Sequence, residues 1–279
     1  MIYGVDWGGY DYDAMQVENL ASRAGCSFFI SQAGGAGTPK LIKRAKNAGM
    51  ITGTYYWNSA LISAQAQIDA YSFLIDQDKP DIIILDFEHY WAKWDDYWAA
   101  IAGTIPWANV TRMSAQKISD NGQSVCEGII KRWSGKYYLN YSADWFVSGY
   151  ASPSTTWLKK YPFFVAAYPD YGVSPYSLTW DQIKSGKFMH LKSGLQNIAD
   201  YRPTLPADIT QWDLWQYSSR IKIPGEYYAY DWDLFNGSLD QLKAKCGLIS
   251  PPTEPTVEER LTSLENRVTA IENKSILGQ

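Results

Sequence analysis

DIIILDFEHY, residues Asp81–Tyr90, runs four aliphatic side chains straight into two carboxylic acids. A strand that is apolar on both faces belongs to a sheet covered on both sides, as parallel sheets are. Residues two apart in a strand point the same way, so Asp86 and Glu88 share one face, and Leu85 and Phe87 share the other. Charges at the end of such a strand are costly unless they are used. The C-terminal end of a parallel barrel strand is where catalytic groups stand. The plainer alternative is an Asp capping the next helix beside a solvated Glu.

Working outward, short β-branched and aromatic runs recur along the chain. They fall at Ile2–Asp6, Ser27–Ser31, Ile51–Trp57, Ile82–Glu88, Lys136–Tyr141, Phe163–Tyr168 and Trp212–Tyr217, with a last one around Tyr227–Asp231. Helical stretches are expected at Tyr12–Ala24, Pro39–Ala48, Ser63–Asp76 and Val110–Trp133, with Gly25 and Gly49 placed to end two of them. Strands alternating with helices predict an α/β fold, an irregular (β/α)8-type (TIM-like) barrel whose later connections are poor in helix. No G-x-G-x-x-G opens a helix after a strand, which disfavours a doubly wound nucleotide-binding sheet.

The barrel is expected to occupy residues 1–247. A Pro-rich linker follows at 248–256, and 257–279 form a short helix with a heptad seam of Val257, Leu261, Leu264, Val268 and Ile271. Self-association into a homo-oligomer through this helix is the expectation; a single helix docked on the barrel is the alternative.

Composition narrows the function classes. Net charge is −4 and no long basic run occurs, so no nucleic-acid partner is expected. No apolar stretch reaches the ~20 residues of a membrane span. The N-terminus lacks the pattern of a signal peptide, which predicts synthesis in the cytoplasm and release by another route. Cys26, Cys126 and Cys246 are far apart and only His89 and His190 are present, which predicts free thiols and no zinc site; no cofactor is implied. Trp, Tyr and Phe make up 15% of the chain, enough to supply platforms for sugar rings as well as an aromatic core.

Two more acids bear on the pair. Asp6 ends the first strand, and Asp231 stands where the last strand returns beside the first. Crowded carboxylates raise one another's pKa, which keeps one protonated as the general acid that glycoside hydrolysis needs. Such a cluster could instead hold Mg²⁺ or Ca²⁺. The aromatic residues Trp7, Tyr55, Tyr56, Trp57 and Tyr217 near these strands suit sugars better than a hydrated metal–phosphate site.

GVDWGGY (Gly4–Tyr10), GTYYW (Gly53–Trp57), LDFE (Leu85–Glu88), LNYSADWF (Leu139–Phe146), FVAAYP (Phe164–Pro169), LWQYSS (Leu214–Ser219) and YDWDLFNG (Tyr230–Gly237) occur in the order seen in glycoside hydrolase family 25. The chain resembles these Chalaropsis-type lysozymes, which include many phage endolysins, over about residues 1–245. The resemblance implies an irregular β/α barrel that cleaves the β-1,4 bond between N-acetylmuramic acid and N-acetylglucosamine in peptidoglycan. It implies Glu88 as general acid, Asp86 as its helper at the substrate's N-acetyl group, and Asp6 and Asp231 as groups that position substrate or tune Glu88. Tyr56, Trp57, Tyr141, Trp215, Gln216 and Tyr217 would line the sugar groove, with no metal. The partner would be peptidoglycan glycan strands, reached after host lysis or from a virion. A non-catalytic cell-wall carbohydrate-binding protein on the same barrel is the alternative, and a metal-dependent phosphohydrolase a weaker third reading. One departure concerns FISQAGGAGTPK (Phe29–Lys40), which lacks the K-x-(T/S)-E-G-like segment usual in the family after the second strand.

Overall fold

The computed structural model describes residues 2–8, 15–152, 154–249 and 261. The linker from 250 and every heptad position except Leu261 lie outside the described residues, as does most of the loop after the first strand.

Eight strands close into a barrel: β1 (Ile2–Trp7), β2 (Phe28–Gln32), β3 (Ile51–Trp57), β4 (Ile82–Asp86), β5 (Tyr137–Ala143), β6 (Phe163–Ala166), β7 (Leu214–Lys222) and β8 (Tyr230–Phe235). The first six are parallel and neighbour one another in chain order, and β7 runs parallel to β6. β8 is antiparallel to both β7 and β1 and closes the ring. A regular (β/α)8 barrel would have it parallel. Only residues 223–229 separate β7 from β8, whereas a parallel crossover takes a dozen residues or more. A short link can make only a hairpin, so the last strand comes back inverted. The pair Tyr176–Ser177 adds a short strand to the far end of β7.

Each strand alternates between two cores. Ile82 and Ile84 pack inside the barrel with Phe28, Ile30, Leu139, Phe164, Leu214 and Phe235. Ile83 and Leu85 face outward to the helical layer. This double burial is why residues 82–85 carry no polar side chain.

The helices are α1 (Thr38–Asn47), α2 (Ala64–Asp78), α3 (Trp94–Ile101) and α4 (Ala115–Arg132), with α5 (Leu239–Lys245) after the last strand. Ser63 and Ser114 cap α2 and α4, accepting from the amides of Ala66 and Lys117. The Ser114 cap explains why the helix expected from Val110 begins later. Of the helix expected at Tyr12–Ala24, the described part is one α-turn, Val17–Asn19, running into a π-turn, Leu20–Ala24, which Gly25 ends with φ 76°. Between β5 and β7 the described connections hold short helical pieces, Asp144–Phe146 running into a π-turn at Val147–Ala151, Leu158–Lys160, Trp180–Lys184 and Ile198–Asp200, and the hairpin of Lys187–His190 with Gly194–Asn197, matching the helix-poor second half expected. No described helix is long and apolar enough to cross a membrane.

Tyr71 fastens α2 to the barrel. Its hydroxyl donates to the Thr54 carbonyl (2.7 Å) and accepts from the Ile84 amide (3.1 Å), fully buried. Tyr71→Phe leaves both backbone groups without that partner, so we expect a loss of about 1–3 kcal/mol in a denaturant titration. An unchanged midpoint would mean the hydroxyl contributes nothing.

Candidate active site

Three strand ends deliver acids to one mouth. Asp6 stands near the C-terminal end of β1, and Asp86 is the last residue of β4 with Glu88 two residues on. Asp231 arrives from the opposite direction, as the second residue of the inverted β8, directly across the ladder from Asp6. All four line one cavity of about 140 Å³ with Tyr55, Ile84, Tyr141, Phe164, Tyr168 and Gln216. The inward pleat carries Ile82 and Ile84 below the mouth and Asp86 into it.

The electrostatics follow from that crowding. Burial, and then the Asp6 charge, push Glu88 up to about 7. Burial likewise lifts Asp6 to about 7, against the pull of the Gln216 side chain. Asp86 is raised well above its ordinary value by burial, then by the Glu88 and Asp6 charges. Asp231 is raised by burial, then by Asp6 and Glu88. These groups cannot all ionise together at neutral pH. The site therefore holds protons that an exposed set of carboxylates would have released.

Gln216 organises one wall. Its Nε2 donates to Asp6 Oδ2, and its Oε1 accepts from the Tyr141 hydroxyl at 2.9 Å and from the Tyr168 hydroxyl. Two phenols donating to one oxygen leave the amide nitrogen facing Asp6. Beneath them Asp233 is fully buried on the inward face of β8, and burial, followed by the Asp6 and Asp231 charges, pushes it well above the usual carboxylate range.

The other candidate sugar-binding residues separate by pleat. Tyr141 and Gln216 line the cavity. Tyr56, Trp215 and Tyr217 do not, because they occupy outward positions of β3 and β7. Tyr56 stacks on Tyr71 with centroids 5.0 Å apart, Trp215 donates to the Ala167 carbonyl (2.7 Å), and Tyr217 is only 1% exposed. Their inward neighbours Tyr55 and Gln216 take the mouth. Trp57 lies beside the cavity, opposite Asp86 in the ladder, with its ring stacked on His89 at 4.9 Å. His89 is buried among Trp57, Trp91 and Trp94, and burial lowers its pKa to about 4. Tyr55 was named from the sequence among the aromatic residues suited to sugars but not as a groove residue, and Phe164, Tyr168 and Asp233 were not singled out at all. The signal was present for Tyr55 and Asp233, which share strand parity with Trp57 and Asp231. Among the described residues no group of three or more His, Cys, Asp or Glu is arranged to hold a metal ion.

Residues 36–226 match the family model described as glycosyl hydrolases family 25. No curated protein matches the chain. Among solved structures, a bacterial lysozyme from Streptomyces coelicolor is 19% identical with a TM-score of 0.58, covering 89% of this chain and 98% of its own. A family 25 glycosyl hydrolase from Bacillus anthracis is 16% identical with a TM-score of 0.56, covering 87% and 92%. A muramidase from Acremonium alcalophilum is 15% identical with a TM-score of 0.58, covering 88% and 99%. At these identities the likeness is one of fold.

Proposed function

Since the chain belongs to glycosyl hydrolases family 25, and is thus a glycoside hydrolase, we propose that it is an N-acetylmuramidase of the bacterial cell wall. Its bond would be the β-1,4 link between N-acetylmuramic acid and N-acetylglucosamine. The observation that carries this reading is the convergence of Asp6, Asp86, Glu88 and Asp231 in a single aromatic-walled cavity.

Glu88 is the proton donor. Lifted to about 7, it is still about half protonated at neutrality, and that proton goes to the leaving glycosidic oxygen as the C1–O bond breaks. Asp86, on the same inward face, orients the substrate's N-acetyl group and stabilises positive charge growing at C1. Asp6 raises Glu88 through its charge, and Asp231 holds substrate from the opposite side. Gln216 keeps Asp6 in place through its amide. Water then adds at C1, passing its proton back to the carboxylates of the mouth, to leave a new reducing end. Tyr55, Tyr141 and Tyr168 offer ring faces to pyranose C–H groups and hydroxyls to sugar oxygens.

The same reading puts its work on the wall after lysis of a host cell or from a virion, and gives residues 257–279 the task of self-association. Digestion of purified peptidoglycan tests the activity. Products should carry the new reducing end on N-acetylmuramic acid, read by mass and by borohydride labelling. Reducing ends on N-acetylglucosamine, or wall binding with no product at all, would overturn it.

A further inference from the structure

An aromatic path leads out of the active site onto α3. Trp57 lies opposite Asp86 in the β3–β4 ladder, and its ring meets Trp91 at 5.3 Å and Trp94 at 5.5 Å. Tyr97 stacks flat on Trp91 at 4.2 Å and meets Trp98 at 5.0 Å and Trp107 at 5.9 Å. The outer members of this chain of rings face solvent: Trp94 is 38% exposed, Trp98 58% and Trp107 44%. Trp94 and Trp98 are four residues apart on one helix and so stand on one face, about 6 Å apart along its axis. Exposed tryptophans in such density exceed what packing requires, since Ala100 already anchors α3 to the core.

We propose that the exposed face of α3, with Trp98 at its centre and Trp94 and Trp107 beside it, is a second glycan-binding site. It would take a distant stretch of the β-1,4-linked amino-sugar strand whose scissile bond lies in the mouth. The inference rests on the muramidase reading. Continuity with the mouth through Trp57 argues for the polymer as occupant, because a long strand leaving the cavity on that side meets these rings next. The chemistry argues for a sugar over a lipid surface. Asp95 and Asp96 lie in the first turn of α3 among the rings, and the chain carries a net charge of −4, which opposes an anionic bilayer but suits hydroxyl and amide donors. Holding the strand at two places converts re-binding at the mouth into an intramolecular event.

Retention on insoluble peptidoglycan, measured with the full chain carrying Glu88→Gln so that the wall is not consumed, tests the site. Adding Trp98→Ala should weaken retention about tenfold, whereas Trp98→Phe, which keeps a ring, should restore most of it. On a short soluble fragment that fills only the mouth, Trp98→Ala alone should keep full kcat/KM. Unchanged retention on the polymer overturns the proposal while leaving muramidase activity standing. Equal losses on polymer and fragment also overturn it, because Trp98 would then act at the mouth. Binding to phosphatidylglycerol vesicles that Trp98→Ala abolishes, with wall retention intact, assigns the face to membranes instead. If the unsubstituted chain neither cleaves nor binds peptidoglycan, the muramidase reading falls and takes this site with it.

Discussion

Glu88→Gln should reduce turnover on purified cell walls by about 10²–10⁴-fold, the usual contribution of a positioned general acid. The amide keeps the shape and removes the proton that the leaving oxygen needs. The protein should remain folded, and at pH 8 it should be more stable than the parent, because Glu88 is an acid that burial and the Asp6 charge disfavour in its ionised form. The pH profile of the parent carries the same information. Glu88, lifted to about 7, loses its proton above that pH, so kcat/KM should fall on the alkaline side of about 7. Full activity in Glu88→Gln, or a rate still rising at pH 9, would sink the assignment.

Thermal stability should increase as pH falls from 8 to 6, by about 3 kcal/mol, or roughly 6–12 °C in Tm for a chain of this size. Asp6 and Glu88 are both raised to about 7 in the folded protein, from ordinary values of 3.8 and 4.5. Between those limits the folded chain binds protons that the unfolded chain has released. The slope of stability against pH is then negative, and the stability present at low pH is lost as pH rises through about 7. Asp78, raised to about 6 by burial, adds in the same direction. His89 acts oppositely. Burial lowers it from 6.5 to about 4, so its contribution is whole above 6.5 and is lost as pH falls toward 4. One imidazole against three acids only softens the trend, so stability keeps rising, more gently, as pH falls from 6.5 to 5. Calorimetric scans from pH 5 to 9 at fixed ionic strength measure this; a Tm that is flat or climbs from pH 6 to 8 would contradict the buried-acid site. Replacing His89 with Phe should steepen the rise below pH 6.5 and leave the slope above it unchanged.

The strands were legible because a doubly covered barrel writes itself into the chain as short runs apolar on both faces. Ile51–Trp57 has the same bounds as expected from the sequence, most other runs differ by one to three residues at their ends, the run expected at Trp212–Tyr217 continues to Lys222, and the one expected around Tyr227–Asp231 shares only Tyr230 and Asp231 with β8. Helix α3 was not legible: its aromatic residues have indifferent helix propensity, and five of its eight positions are Trp, Tyr or Asp. In the helix expected at Tyr12–Ala24, the described residues Met15 and Gln16 are not helical, and periodicity alone does not show that Leu20–Ala24 turns as a π-helix.

The chain by itself determined that acids stand at the ends of Ile2–Trp7 and Ile82–Asp86, and that Asp86 and Glu88 share a face, because alternation along a strand is a local property. Only the tertiary structure decided which alternate face of each strand is the barrel's interior. That choice puts Tyr55 rather than Tyr56 at the mouth and sends Trp215 and Tyr217 outward, since both faces are apolar and nothing local tells them apart. Closure decided the rest. The inversion of β8 brings Asp231 opposite Asp6, and with Glu88 beside them burial and mutual repulsion raise the pKa values, a property that no one of these residues has alone.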